Sequence, residues 1–508
     1  MALPEMTRAA PASVGGDPKE QLAGQLDCQN SKARLSPQDK CAAALGARLP
    51  TLRPYQENGV AEIRAAFHSG ARSVLYQLPT GAGKTRVFTF IATSAMARGK
   101  RVLILVHRQE LREQVVASLE SLGVACGVIA PGAPETSHAV QVASVQTIAR
   151  RLYRWRDAFD LLVIDEAHHA VAGTWARVIE AMPNAKVLGV TATPERLDGR
   201  GLVDVFSEMV AGPSVAELTD GSFLAPFRVF APESAPDMSG AHIRAGDFAV
   251  EDMRSAMDGV VIGAAVEEYQ RLAHGLPSVA FCVDRAHSEA VAARFRGAGI
   301  AAAHVDGETQ AKERRDAIAA LGDGRLSVLC NCGLISEGVD VPAIGAAILL
   351  RPTASLALYL QQAGRALRPA PGKERALLLD FAGNCMRHGL PDAPREWSLE
   401  SKPRRQRETD TEERARHCKS CGAINKPRAA TCCECGADLR TPRERAEIEM
   451  RLREAEHAAL RARIVGMGYR GRLEWAGADK AKLALVSVFC GYKDGWVFRR
   501  LQELGVAA

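Results

Sequence analysis

Aromatic residues are scarce in this chain, 5% of 508 residues, so aliphatic packing rather than stacked rings must build its cores. Long apolar runs are missing as well. Stretches such as 343–350 (AIGAAILL) fall far short of the roughly 18 residues of a membrane span, so a soluble protein without a membrane partner is expected. The opening MALPEMTRAAPASVGGDPKE lacks an apolar h-region behind a basic n-region, which argues against secretion and makes the cytoplasm the expected location. Thirteen cysteines, an odd number without such a signal, argue against a disulfide framework. Composition with 47% hydrophobic and 24% charged residues excludes wholesale disorder, and the length calls for several domains.

Charge is uneven. Residues 401–508 hold 23 Lys+Arg against 15 Asp+Glu, leaving 42 against 44 in the first 400. Residues 1–50 are rich in Ala, Pro and Gly and read as a flexible tail. From Leu52 onward short apolar runs at 74–77, 102–106, 161–164 and 187–190 alternate with helical patterns, the signature of buried parallel strands. The pattern returns at 279–283, 328–330, 346–350 and 376–380. The expected class is α/β: two parallel-sheet domains in tandem, 51–212 and 213–395. A charged linker (396–416), a cysteine-bearing module (417–438) and a helical tail (439–508) follow, and 239–276 is the least legible stretch.

After the first strand comes Leu78-Pro79-Thr80-Gly81-Ala82-Gly83-Lys84-Thr85 and then a helical pattern. Glycines let the backbone N–H groups of such a loop curl around phosphate oxygens; Lys84 reaches the outer phosphates and the Thr85 hydroxyl can ligate Mg²⁺. Leu78 stands where the strict phosphate-loop pattern has its first glycine. The strand 161–164 ends in Asp165-Glu166-Ala167-His168, placing two carboxylates at the sheet edge where ligands of open α/β sheets bind. Asp165 would hold Mg²⁺ and Glu166 would orient or deprotonate the attacking water. His168 and His169 are adjacent and expected to point apart on a helix, which argues against a metal site there. In the second half, Gln361-Gln362-Ala363-Gly364-Arg365-Ala366-Leu367-Arg368 puts two arginines three apart, on one face of a helix, as candidates to stabilise charge on a transferring phosphate.

Cys418-x2-Cys421-x10-Cys432-x2-Cys435 places two thiolate pairs at the spacing of a zinc ribbon. Cys433 is a second candidate ligand with poor spacing to Cys435. Thr441-Pro442-Arg443-Glu444 supplies the cap of a charged helix. The basic linker residues Lys402, Arg404, Arg405 and Arg407 and the cluster-adjacent Lys419, Lys426 and Arg428 have few acidic neighbours in sequence, which makes them candidates for DNA phosphate contacts.

Taken in order, the motifs resemble those of superfamily 2 helicases: Arg53-Pro54-Tyr55-Gln56, LPTGAGKT, VHRQEL (106–111), SVQT (144–147), DEAH (165–168), TATP (191–194), SEGVDVP (336–342) and QQAGRALR (361–368). The blocks 351–373 and 377–384, followed by four cysteines, are similar to RadD-type DNA repair helicases and related phage helicases, and the closing 491–496 (GYKDGW) resembles the tails of the phage-type members. The resemblance implies two RecA-like domains closing on ATP and Mg²⁺. It assigns Gln56 to adenine, with Arg53, Thr80, Ala82, Gly338, Asp340 and Gln361 also at the nucleotide. It further assigns His168, Thr191 and Thr193 to coupling, Arg108, Gln146 and Thr147 to nucleic acid, and Arg365 and Arg368 to phosphate, Arg368 being the stronger finger candidate. The leading reading is an ATP-dependent DNA helicase or translocase with a zinc-bearing C-terminal region, acting on single-stranded or forked DNA. Two alternatives stand beside it: an RNA-directed helicase, and an ATP-switched zinc adaptor that recruits a protein partner.

Overall fold

The computed structural model describes residues 49–506 apart from 171–172, 196–200, 234, 258, 334–343 and 401–414. The expected tail up to residue 48, most of the expected linker, and both Gly338 and Asp340 lie outside the described residues. Two compact units divide between Pro213 and Ser214, and residues 396–400 return to the first.

The first unit is a seven-stranded, all-parallel sheet. Its strands are β1 (Ser73–Gln77), β2 (Val102–Val106), β3 (Cys126–Ile129), β4 (Val140–Ser144), β5 (Leu161–Asp165), β6 (Lys186–Thr191) and β7 (Glu208–Ala211), in the order β3-β4-β2-β5-β6-β1-β7. Every residue of β2 and β5 is buried, as strands covered by helices on both faces require. One core packs Leu75, Leu103, Leu105, Ile164 and Val187 against Trp175, Phe159 and Phe206. Residues 396–400 are not linker: Leu202 N and Val203 N donate to Leu399 O at 2.7 and 3.2 Å, and the Leu399 side chain packs on this core. Pro50, expected in the tail, is buried beside the phosphate loop.

The second unit carries β8 (Phe227–Phe230), the two-residue hairpin strands β9 (Ile243–Arg244) and β10 (Asp247–Phe248), β11 (Ser278–Cys282), β12 (Ala302–Val305), β13 (Val328–Asn331), β14 (Ala346–Leu350), β15 (Ala376–Asp380), β16 (Arg416–His417) and β17 (Ala423–Asn425). Its main sheet runs β12-β13-β11-β14-β15-β8-β17-β16. The six strands from β12 to β8 are parallel, whereas β17 and β16 join antiparallel. Both sheets fit the expected tandem RecA-like class. The cysteine-bearing module is joined to the second sheet by the pairing of β17 with β8. The poorly legible stretch contains the β9–β10 hairpin, anchored where Asp247 accepts from Arg351 at 2.9 Å, Thr353 Oγ1 at 2.8 Å and Ala354 N at 2.8 Å. The tail is the 25-residue helix Pro442–Gly466, capped by Thr441 and Glu444 as expected, followed by three short helices.

Candidate functional site

Parallel strands bring the motifs of the first unit to one edge, because each crossover returns the chain in the same direction. β6 lies between β1 and β5, with Gln77 paired to Thr191 and Asp165 paired to Val190. The phosphate loop leaves β1, the acidic pair ends β5, and the TATP segment leaves β6 between them. On the other side of β5, Arg108 follows β2 and Gln146 and Thr147 follow β4; Gln146 is exposed and Thr147 buried.

Within the loop Gly81 and Gly83 have φ of +89° and +88°, left-handed conformations that favour glycine. Gly83 is the N-cap of the helix Lys84–Met96, so Lys84 and Thr85 stand in its first turn, where free N–H groups suit a phosphate. The loop is fastened from outside: Tyr55 Oη and Gln56 Nε2 both donate to Ala82 O, at 2.8 and 2.9 Å, while Gln56 Oε1 accepts from Arg53 N at 3.0 Å. The buried Gln56 amide therefore braces the phosphate loop, a role the adenine assignment did not include. A cavity of about 400 Å³ adjoins it, lined by Pro50, Arg53, Gln56, Gly83, Thr85 and Ser121 among others.

Asp165 is buried, and its carboxyl is pushed up by burial and by the Glu166 carboxylate while Lys84 pulls it down. Glu166 occupies the left-handed region at φ +50°, uncommon for a non-glycine residue. Its Oε2 is 3.5 Å from His168 Nδ1, and neither that oxygen nor Thr80 Oγ1 has a hydrogen-bond partner among the described residues, which fits a site completed by a phosphate, its metal ion and water. His168 Nδ1 lies 3.1 Å from Thr191 Oγ1, which donates to Thr193 O at 3.0 Å and accepts from Thr193 N at 3.2 Å. His168 and His169 do not point apart: they sit in a 3₁₀ turn, Ala167–His169, with ring centroids 4.2 Å from each other.

In the second unit the helix carrying Gln361 and Arg365 runs Leu356–Ala366, and both side chains are buried. Arg368 lies past its end, so the expectation of two arginines on one helical face does not hold. Lys373, which sequence reasoning passed over, closes that end: its ammonium donates to Ile344 O at 2.5 Å, to Arg368 O at 2.9 Å and to Ala366 O.

The thiols of Cys418, Cys421, Cys432 and Cys435 lie within 4.8 Å of one another. Two of the separations are 3.6 and 3.7 Å, close to the roughly 3.8 Å edge of a tetrahedron with 2.3 Å metal–sulfur bonds. Cys433 is outside this group; its N–H donates to Asn425 Oδ1 at 2.8 Å, while Asn425 Nδ2 faces Cys432 Sγ at 3.7 Å. The basic residues beside the cluster do have acidic neighbours: Lys419 pairs with Glu233 at 3.4 Å and Lys426 with Asp392 at 3.0 Å. These acids are remote in sequence, which hid them from a local count.

The family described as "Type III restriction enzyme, res subunit" matches residues 49–196, and "Helicase conserved C-terminal domain" matches 264–370. A 51.5 kDa protein of a Lactococcus phage is 33% identical over 393 residues, covering 76% of this chain and 84% of the relative. The putative ATP-dependent helicase IRC3 of Saccharomyces cerevisiae is 31% identical over 356 residues, covering 66% of this chain and 52% of the relative. The chain thus spans about half of the yeast protein's length. Among solved structures, a fragment of a putative HsdR subunit of a type I restriction enzyme from Vibrio vulnificus shares the fold, with a TM-score of 0.55 and 22% identity over 73% of this chain and 70% of that one. Since the two family matches fall in order on the two sheets that carry the motifs, the chain belongs to the superfamily 2 helicases and is an ATP-hydrolysing enzyme.

Proposed function

We propose that the chain is a DNA-directed helicase or translocase of that superfamily, working on single-stranded or forked DNA in repair, recombination or replication. The observation that carries the coupling is the hydrogen-bonded run from His168 through Thr191 to Thr193. It begins beside Glu166, whose Oε2 is 3.5 Å from His168 Nδ1, and ends on the segment leaving β6, so a change at the phosphate is tied to the TATP segment. Glu166 is the base that orients the attacking water, and Thr85 and Asp165 would hold Mg²⁺, which when bound draws charge from the phosphate oxygens. Lys84 binds the outer phosphates, and Arg365 and Arg368 are the cations proposed to stabilise charge as the phosphoryl group transfers. Four thiolates of the cysteine cluster would hold one structural Zn²⁺. DNA is preferred over RNA because the family that matches residues 49–196 is named for restriction enzymes.

ATP turnover measured in parallel with single-stranded DNA, duplex DNA, forked DNA and RNA tests this reading. Single-stranded or forked DNA should stimulate most, and Glu166→Gln should abolish turnover while still binding ATP. Equal or greater stimulation by RNA would overturn the DNA assignment, and undiminished turnover by Glu166→Gln would remove that residue from the chemistry.

A further inference from the structure

The sequence GYKDGW at 491–496 has no part in the ATP chemistry, yet the fold invests in it. Helices Tyr469–Ala476, Lys480–Cys490 and Trp496–Glu503 pack with the end of Pro442–Gly466 around a core of Ile464, Leu483, Val486 and Leu501. Gly491 and Gly495 have φ of +66° and +82°, so the chain reverses between two helices within a few residues. That reversal sets the Tyr492 ring 4.6 Å from Trp496, and Tyr469 abuts Tyr492 at 6.2 Å, making a row of three rings. Arg472 fastens the row: its guanidinium donates to Tyr492 Oη at 3.0 Å, to Ile464 O at 2.9 Å and to Val465 O at 2.6 Å.

The inner rings pack on the core, but Tyr469 is 55% exposed. Two cations adjoin the row in sequence and are exposed, Lys493 and Arg470, the latter within 3.5 Å of Glu474. Residues 460–506 carry nine Lys+Arg against four Asp+Glu. A single strand matches both features at once, offering bases to the rings and phosphates to the cations. We propose that Tyr469, Tyr492 and Trp496, with Arg470 and Lys493, form a platform for single-stranded DNA, a base stacking on Tyr469 while adjoining phosphates meet the two cations. The proposal rests on the DNA-directed reading above and names a site outside the two sheets.

The test uses the full chain and a fluorescently labelled oligo-dT strand. Tyr469→Ala should bind about 5- to 150-fold more weakly, the range set by loss of one stacked base. Tyr469→Trp should bind at least as well as the parent, and Lys493→Glu should weaken binding and flatten its dependence on salt. ATP turnover without nucleic acid and the melting temperature should not move in any of the three, because the side chains replaced are exposed and remote in sequence from the phosphate loop. A parent chain that neither binds the strand nor responds to DNA in its ATP turnover would sink the DNA-directed reading and the platform with it. A parent that binds normally while Tyr469→Ala and Lys493→Glu match it would overturn the platform alone, and would leave this face to a protein partner.

Discussion

Replacing Gly83 with alanine perturbs the brace between the phosphate loop and Gln56 in a way that can be worked through. At φ +88° an alanine costs about 1–2 kcal/mol for the left-handed conformation alone. The added Cβ would also lie 2.6 Å from Gln56 Nε2, too close to coexist. Displacing that amide gives up its bonds to Ala82 O and Arg53 N, roughly 1 kcal/mol each. The total is about 3–4 kcal/mol, which in a unit of this size lowers the melting temperature by roughly 6–15 °C. Gly99→Ala is the control, since φ there is +75° with nothing within 4 Å of the new Cβ, so strain acts alone. Pairing Gly83→Ala with Gln56→Ala removes the collision, and the double variant should cost about 2 kcal/mol less than the sum of the singles. Calorimetry gives the stabilities, and the KM for ATP should rise with each site variant but not with Gly99→Ala. A Gly83→Ala variant no less stable than Gly99→Ala, or a strictly additive double, would refute the brace.

Metal analysis of the purified chain should find one zinc ion per molecule; Cys418→Ser should lose it and Cys433→Ser should keep it, because only the former thiol is in the cluster. His388, whose Nε2 bonds Thr353 O at 2.9 Å beside the stacked Tyr359 ring, is pushed down to about 4, chiefly by burial. The unfolded chain then binds the extra proton between about pH 6.5 and 4, so stability falls as pH drops through that window, by about 1–2 kcal/mol at pH 5 after allowing for partial solvent contact. Urea midpoints at pH 7 and pH 5 should show this loss in the parent and a smaller one in His388→Gln.

The apolar runs at 102–106 and 346–350 announced their strands because a strand buried on both faces needs an unbroken aliphatic sequence, and the phosphate loop and acidic pair were legible because their chemistry is local. β16 and β17 were not: with two and three residues they carry no period, and their pairing depends on β8, nearly two hundred positions earlier. The hairpin around Asp247 is equally silent, its meaning lying in Arg351 and Thr353. Asn425 belongs to no motif, yet it faces a cluster thiol. The end of the Gln361 helix at Ala366 escaped notice because Lys373, which gathers its last carbonyls, follows a Pro-Ala-Pro-Gly stretch that looks like plain loop.

The antiparallel seam between β17 and β8 makes the cysteine cluster a guard as well as a fold. Without it, β8 would present an unpaired row of N–H and C=O groups at the rim of the second sheet, a template on which another chain can add a strand. Stripping the proposed Zn²⁺ should therefore do more than loosen a small loop. If the four thiols let go, β17 loses the constraint that holds it against β8, the rim opens, and chelator-treated protein should self-associate before its ATP site unfolds.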